Sequence, residues 1–181
     1  MSTVPPAQRF RDNCVSLATY CLTLVEQAAS ENMTTIDPVL LRAGIMYIEN
    51  GCTPNELIEG FINYSYLYWS QLHAKDERFF LENVSKVFPK WDPKIVDLFR
   101  RLFDTRRANG APLITYDQKE HLWKIFQSLV KISLHHISEN RQPYRTPDGN
   151  IAWRDVYQYT QIENLPTLID AWGIRKSLRV P

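Results

Sequence analysis

The sequence lacks the features that most directly reveal an enzyme. Only six of its 181 residues are glycine, and the glycine-rich patterns that bind nucleotide phosphates do not occur. Metalloprotease and nucleophile-elbow motifs are missing as well. No apolar run approaches the 18 residues that indicate a membrane-spanning helix. We therefore infer no catalytic residue, metal, cofactor or small-molecule substrate from the sequence, and expect a protein that is not an enzyme.

Cysteine is scarce, with Cys14, Cys21 and Cys52 at no metal-finger spacing. Cys14 and Cys21 lie seven residues apart on a predicted helix, which separates them by about 10.5 Å along its axis. That distance is too long for a disulfide, although Cys52 can in principle pair with either of them. Residues 1–13 lack the apolar stretch of a secretory signal. We therefore expect an intracellular protein that is not secreted, with reduced thiols.

The chain has almost no net charge, because 21 basic residues face 20 acidic residues and leave a net charge of +1. This balance excludes a protein that binds polyanions through its overall charge. The charges are unevenly distributed, however. Residues 1–90 contain 7 basic and 10 acidic residues, whereas residues 91–181 contain 14 basic and 10 acidic residues. The net charge therefore does not exclude a local basic patch in the second half of the chain.

Apolar residues recur with a period of about 3.6, which predicts an all-α fold. We expect a bundle of six main helices at about 7–29, 38–51, 54–74, 76–88, 93–108 and 116–139. Several of these starts carry capping residues or an early proline, at Asp37-Pro38, Thr53-Pro54 with Glu56, Asp92-Pro93, and Thr115 with Gln118. Gly51 is predicted to end the second helix in the left-handed conformation.

The pattern changes at residues 140–150, where two prolines and an Asp-Gly pair predict an exposed loop. We divide the chain into a helical bundle at 1–140 and a tail at 141–181. Short helices are expected at about 151–161 and 165–172, although residues 151–159 also show some strand-like alternation. We expect this tail to pack back on the bundle, as part of the same domain, or to pack on a partner.

The tail is rich in aromatic side chains that are too apolar to remain free in water. Tyrosine and tryptophan are favoured at interfaces because each combines apolar area with a hydrogen-bonding group. We therefore predict a protein partner or self-association, and the candidate contact residues are Trp153, Tyr157, Tyr159 and Trp172.

Basic residues on the fifth predicted helix and at the end of the chain form a candidate site for anions or nucleic acid. Asp97 and Asp104 are placed to pair with Arg101 and Arg100 at a spacing of four residues. Arg100 and Arg107 are expected on one helix face, two turns apart. The predicted site comprises Arg100, Arg101, Arg106, Arg107, Arg175, Lys176 and Arg179.

His135 and His136 are the most conspicuous histidines, near the end of the sixth predicted helix. Adjacent helical residues point about 100° apart, so the two rings are poorly placed to hold one metal ion together. A position near a helix C-terminus favours protonated histidine. We therefore predict that this pair faces solvent.

Two segments together resemble small helical proteins of the large nucleocytoplasmic DNA viruses, marseilleviruses among them. Residues 116–129 carry Asp117, Trp123 and Phe126 in the order Asp-x₅-Trp-x₂-aromatic, and residues 80–99 carry a second similar stretch. Together these segments span 34 of the 181 residues. The resemblance implies life in the host cytoplasm or nucleus and no established enzymatic activity, and it assigns no functional residue.

These observations favour a non-enzymatic protein-interaction or structural module of a large DNA virus. The alternative is a nucleic-acid-associated protein that uses the arginines of the fifth helix and the basic C-terminus. The two hypotheses differ in the surface they require, because the first needs an exposed aromatic patch and the second needs a contiguous basic surface.

Overall fold

The computed structural model describes residues 4–31, 37–88 and 93–139. Several predictions concern residues 140–181 and lie outside the described residues. They include the loop, the two short helices, the strand-like alternation, the packing of the tail, and seven of the candidate site residues, namely Trp153, Tyr157, Tyr159, Trp172, Arg175, Lys176 and Arg179. The cap at Asp92 also lies outside them.

The prediction of an all-α bundle is confirmed, since the described residues form seven α-helices and no strand. The helices are α1 (Pro6–Ser30), α2 (Pro38–Met46), α3 (Pro54–Ser65), α4 (Trp69–His73), α5 (Glu77–Val87), α6 (Pro93–Asp104) and α7 (Tyr116–Glu139). A π-helical turn at Tyr47–Gly51 extends α2, and a 3₁₀ turn at Tyr66–Tyr68 joins α3 to α4.

The predicted capping residues start their helices by the expected bonds. The Asp37 side chain accepts a hydrogen bond from the Val39 amide at 2.9 Å, ahead of α2. At α3, the Thr53 hydroxyl and the Glu56 carboxylate form a reciprocal capping box. The predicted box of Thr115 and Gln118 starts α7 in the same manner, with bonds of 2.8 and 3.2 Å.

α1 and α7 are the two longest helices, and they pack against each other in opposite directions. Asn13 Nδ2 of α1 donates to Ser128 Oγ of α7 at 2.9 Å, and the Tyr20 ring lies 4.5 Å from the His121 ring between centroids. The partner residue number on α7 falls as the α1 number rises, which defines an antiparallel pair. The remaining helices complete the core around this pair.

Aromatic side chains fill the centre of the core. Phe126 of α7 packs on Phe80 of α5 with ring centroids 4.8 Å apart, and Phe99 of α6 lies 6.3 Å from Phe126. Trp123 contacts Phe80 edge-on at 5.4 Å. All four side chains are at most 3% exposed, so this cluster joins α5, α6 and α7 into one unit.

The third predicted helix, expected to be continuous over 54–74, is instead interrupted after Ser65. The buried Ser65 hydroxyl donates to the Phe61 carbonyl oxygen at 2.6 Å and accepts from Trp69 Nε1 at 2.8 Å. A serine that bonds back to the carbonyl four residues earlier bends a helix. The chain therefore tightens into the 3₁₀ turn before α4 begins.

Two predictions about how helices end are wrong, namely the left-handed conformation of Gly51 and the extension of the fifth helix to residue 108. Gly51 does not adopt a positive φ, and the helix relaxes into the π turn there. The fifth predicted helix, α6, ends at Asp104 rather than at 108. Beyond it the chain reverses through Gly110, whose φ of 82° permits the turn, while the amide of Arg107 donates to the Ala111 carbonyl at 2.7 Å.

Candidate functional site

The arginines predicted on α6 make contacts within the chain. Arg101 Nε lies 2.8 Å from Asp97 Oδ2, which confirms that predicted pair. Arg100 Nε donates to the Leu81 carbonyl at 2.9 Å and so ties α6 to α5. Within the described residues, Arg100 forms no ion pair with Asp104, the partner expected for it.

Arg106 and Arg107 lie beyond α6, in the reversing turn. Because the helix has already ended, Arg107 is not stacked two turns above Arg100, and that prediction is wrong. Arg107 Nη1 instead lies 2.6 Å from Glu31 Oε2, at the end of α1, and Nη2 donates to the Leu113 carbonyl. Arg106 is exposed, and its backbone forms an isolated antiparallel bridge with Pro112. The four arginines therefore do not form one helical face.

Most residues of α2 are not buried, although the sequence of this helix is apolar. Its sequence PVLLRAGIM contains a single charged residue, yet Leu41 is the one residue of α2 that is buried. Val39 is 61% exposed and Met46 is 65% exposed, and Tyr47 just beyond is 58% exposed. Ala43, between them, is also exposed. These four residues lie within 100° of one another on the helix and form what we call the α2 stripe.

A cavity of about 480 Å³ lies beside α2, and Ala43 and Tyr47 of the stripe belong to its lining. α1, α2, α3 and α6 supply most of its walls, with the end of α5 and Leu129 of α7 completing them. The apolar side chains of the lining are those of Phe10, Leu17, Ala18, Leu40, Leu41, Ala43, Ile48, Leu57, Phe61, Val87, Phe88, Ile95, Phe99 and Leu129. Volume and composition both match small-molecule sites, which commonly enclose about 300–1,000 Å³ and are largely apolar.

The π turn forms part of the rim of the cavity. Arg11 Nη2 of α1 donates to the Cys52 carbonyl oxygen, which fixes the end of this turn against α1. Cys52 Sγ donates to the Tyr47 carbonyl at 3.8 Å. Because π turns are rare and occur frequently at functional sites, this turn supports the cavity as the candidate site.

Two glycines leave room in the walls. A Cβ atom added to Gly60 of α3 would meet no atom within 4 Å, and one added to Gly44 of α2 would approach only Ile95 Cδ1, at 3.8 Å. Both residues line the cavity. The space beside them is therefore open to a larger group, and a side chain at position 60 would extend into it.

None of the three cysteines forms a disulfide, as expected for reduced thiols, and all three line this cavity. Burial raises the pKa of the Cys14 thiol far above its ordinary value, and the nearby Cys52 adds to that shift. Burial also raises the pKa of Cys21 to about 12. Neutral thiols behave as small apolar groups, so these two residues extend the apolar wall.

The prediction that His135 and His136 both face solvent is wrong for His136. Its side chain is buried, and Nε2 lies 4.0 Å from Glu59 Oε1 on α3. Burial lowers the pKa of His136 to about 4. Burial and, to a smaller extent, the nearby Glu56 raise the pKa of Glu59. Both shifts favour the neutral forms, so this contact is not a strong ion pair.

The described residues provide neither a metal-binding group nor a membrane-spanning helix. Among residues 4–31, 37–88 and 93–139, no group of three or more histidine, cysteine or acidic side chains could hold a metal ion. None of the helices described there combines the length and the apolar character that crossing a membrane requires.

Sequence reasoning missed both the α2 stripe and the cavity. A signal was present, because the segment 38–48 carries apolar residues on every side and a single charge at Arg42. An apolar helix of this kind must be covered on two sides or leave one face exposed.

In comparisons with known proteins, no family model, no curated protein and no solved structure matches this chain.

Proposed function

We propose that this chain is a non-enzymatic protein-interaction module that pairs with a second copy of itself through the α2 stripe. The observation that carries the proposal is the exposure of Val39, Met46 and Tyr47 on one side of a short helix. Single exposed apolar residues are ordinary, whereas several adjacent ones mark an interaction surface.

The α2 stripe is complementary to itself. In an antiparallel pair of α2 helices, a register centred between Gly44 and Ile45 places the large Met46 of one copy opposite the small Ala43 of the other. A parallel pair would instead set Met46 against Met46 and Ala43 against Ala43, which leaves a gap at Ala43. We therefore propose the antiparallel arrangement, which has the two-fold symmetry common in soluble homo-oligomers.

Charge does not oppose this pairing. Arg42 is the one charged residue within α2, and its Nη2 lies 2.6 Å from Glu26 Oε1 of the same chain. The charge beside the stripe is thus balanced within each copy. Two copies can approach without bringing unpaired like charges together.

The nucleic-acid alternative receives less support. Arg100, Arg101 and Arg107 each contact an acid or a carbonyl of the same chain, so binding phosphates would require these contacts to be exchanged. We also propose that this protein has no enzymatic activity and comes from a large DNA virus. They rest on the missing motifs and on the resemblance described above.

Sedimentation velocity on the full chain at micromolar to millimolar concentration tests the pairing. We expect a concentration-dependent dimer, and we expect Met46→Glu to convert it to monomer because a charge would be buried in the interface. Tyr116→Glu is the matched control, since Tyr116 is 74% exposed at the start of α7. A wild-type chain that stays monomeric throughout, or one that both variants affect equally, would overturn the proposal.

A further inference from the structure

The cavity beneath α2 has properties that pairing through the outer stripe does not use. At about 480 Å³ it is roughly three times the ~150 Å³ of an apolar cavity that accepts one benzene molecule. Its lining is continuous with the core through Phe61, Phe99 and Leu129. The volume therefore suits a molecule of several rings or a folded hydrocarbon chain.

We infer that this cavity is a binding site for one neutral, predominantly apolar small molecule. Ala43 and Tyr47 belong to both the α2 stripe and the cavity lining, whereas Val39 and Met46 do not line the cavity, and a ligand inside it does not require the proposed pairing. It specifies a chemical class of ligand, a hydrocarbon or ring system that carries at most one uncharged polar group such as an alcohol or a ketone.

The charge of the lining selects this class. Among the lining residues Glu56 is the only charged one, and no lysine or arginine is present. The Glu56 carboxylate already accepts hydrogen bonds from the Thr53 amide at 2.7 Å and the Thr53 hydroxyl at 2.8 Å. A ligand carboxylate or phosphate would meet no cationic side chain on the cavity wall, which is costly in an apolar site, and Arg11 at the rim already donates to the Cys52 carbonyl. Anionic lipids are therefore disfavoured.

The lining also provides for a single polar group. Tyr47 and Tyr64 contribute phenol hydroxyls, which can donate to or accept from an alcohol or carbonyl oxygen. Tyr47 is 58% exposed and Tyr64 is half-buried, so both lie nearer to solvent than the buried Phe61 and Phe99. A ligand with one polar end would place that end near the rim and its apolar body inside.

Gly60 gives a direct means of filling the site. Because Gly60 lines the cavity and a Cβ atom at this position meets no atom within 4 Å, we expect the side chain of Gly60→Leu to extend into the cavity. Gly60→Ala is the matched control, since it makes the same backbone change and leaves most of the volume free. Ala18→Phe fills the cavity from α1 on another wall and decides the result if Gly60→Leu does not fold.

The experiment is a fluorescence titration of the full chain with Nile red, a neutral apolar dye. We expect saturable binding of one dye per chain, a loss of at least tenfold in affinity for Gly60→Leu, and a change of less than threefold for Gly60→Ala. Met46→Glu should leave dye binding unchanged, which separates this site from the α2 stripe. Decanol should displace the dye at a concentration at least tenfold lower than decanoate at pH 8.

Three results would overturn the inference. The first is the absence of saturable binding to the wild-type chain. The second is equal binding by the wild type and a folded cavity-filling variant, or loss of binding in Met46→Glu, because either places the dye elsewhere. The third is displacement by decanoate as effective as by decanol, which would contradict a site selective for neutral molecules.

Discussion

The Tyr47 ring lies directly against the backbone of Gly51 across the π turn. A Cβ atom at position 51 would come within 2.9 Å of Tyr47 Cε2, and closer still to Cδ2. Gly51 is thus required for the position of a neighbouring ring and not for a left-handed φ. Since Tyr47 belongs to both the α2 stripe and the cavity rim, this contact links the two surfaces.

Alanine substitutions at the two glycines should have opposite effects. Gly51→Ala must displace the Tyr47 ring, and we expect it to lower the free energy of unfolding by about 1 kcal/mol. Gly60→Ala lies in the interior of α3, where its methyl group meets open space, and it should raise that free energy by up to about 1 kcal/mol. Urea unfolding at pH 7 measures both. Equal effects of the same sign would contradict the described environments.

His136 should make the stability of the bundle depend on pH. In the unfolded chain a histidine takes up its proton near pH 6.5, whereas burial delays this to about pH 4 in the folded chain. The unfolded state therefore binds more protons between these values, and stability falls as the pH falls. The slope from this residue is at most about 1.4 kcal/mol per pH unit. The raised pKa of Glu59 acts in the opposite direction, because its stability contribution falls as the pH rises.

Urea unfolding at pH 7 and pH 5 tests this dependence. His136→Gln removes the titrating group, so we expect the variant to lose less stability than the wild type between the two pH values. His121→Gln is the control, because His121 is an exposed histidine of the same helix, where its ring contacts Tyr20 of α1. If the wild type and His136→Gln lose the same free energy on acidification, His136 is not buried in its neutral form.

The pair of Arg107 and Glu31 should stabilise the turn that follows α6. Both side chains are about one-third exposed, and Arg107→Glu would place two carboxylates together. We expect a loss of about 1–2 kcal/mol, compared with less than about 0.5 kcal/mol for Arg106→Glu at the exposed neighbouring position. The double variant Glu31→Arg with Arg107→Glu should recover part of the loss. Thermal unfolding of the four proteins measures this, and equal losses for the two arginine variants would refute the pairing.

Much of the fold could be predicted from the sequence, because helix starts depend on local chemistry. Asp37, Thr53 and Thr115 each bond to an amide within the first turn, and such bonds involve only neighbouring residues. The apolar period likewise placed Trp69 and Leu122 in the core, where both are fully buried. Local rules were sufficient for these features.

The errors arose where distant residues decide the outcome. The break after Ser65 depends on a buried serine shared by Phe61 and Trp69, and the sequence pattern gives only the spacing of these residues. Burial of His136 depends on its packing near α3. The cavity was not predicted for the same reason, because its walls come from helices far apart in the chain and no local pattern reports the space left between them.

Disulfide capture between two variants that each carry one added cysteine tests the central claim, the antiparallel pairing of α2, most directly. Ala43→Cys and Met46→Cys are purified separately and mixed under mild oxidation, and the disulfides are mapped by mass spectrometry to separate them from those of the natural cysteines. We predict a disulfide joining position 43 of one chain to position 46 of another, formed in the mixture and not in either variant alone. Absence of any intermolecular disulfide at these positions would contradict the pairing of α2 with a second copy.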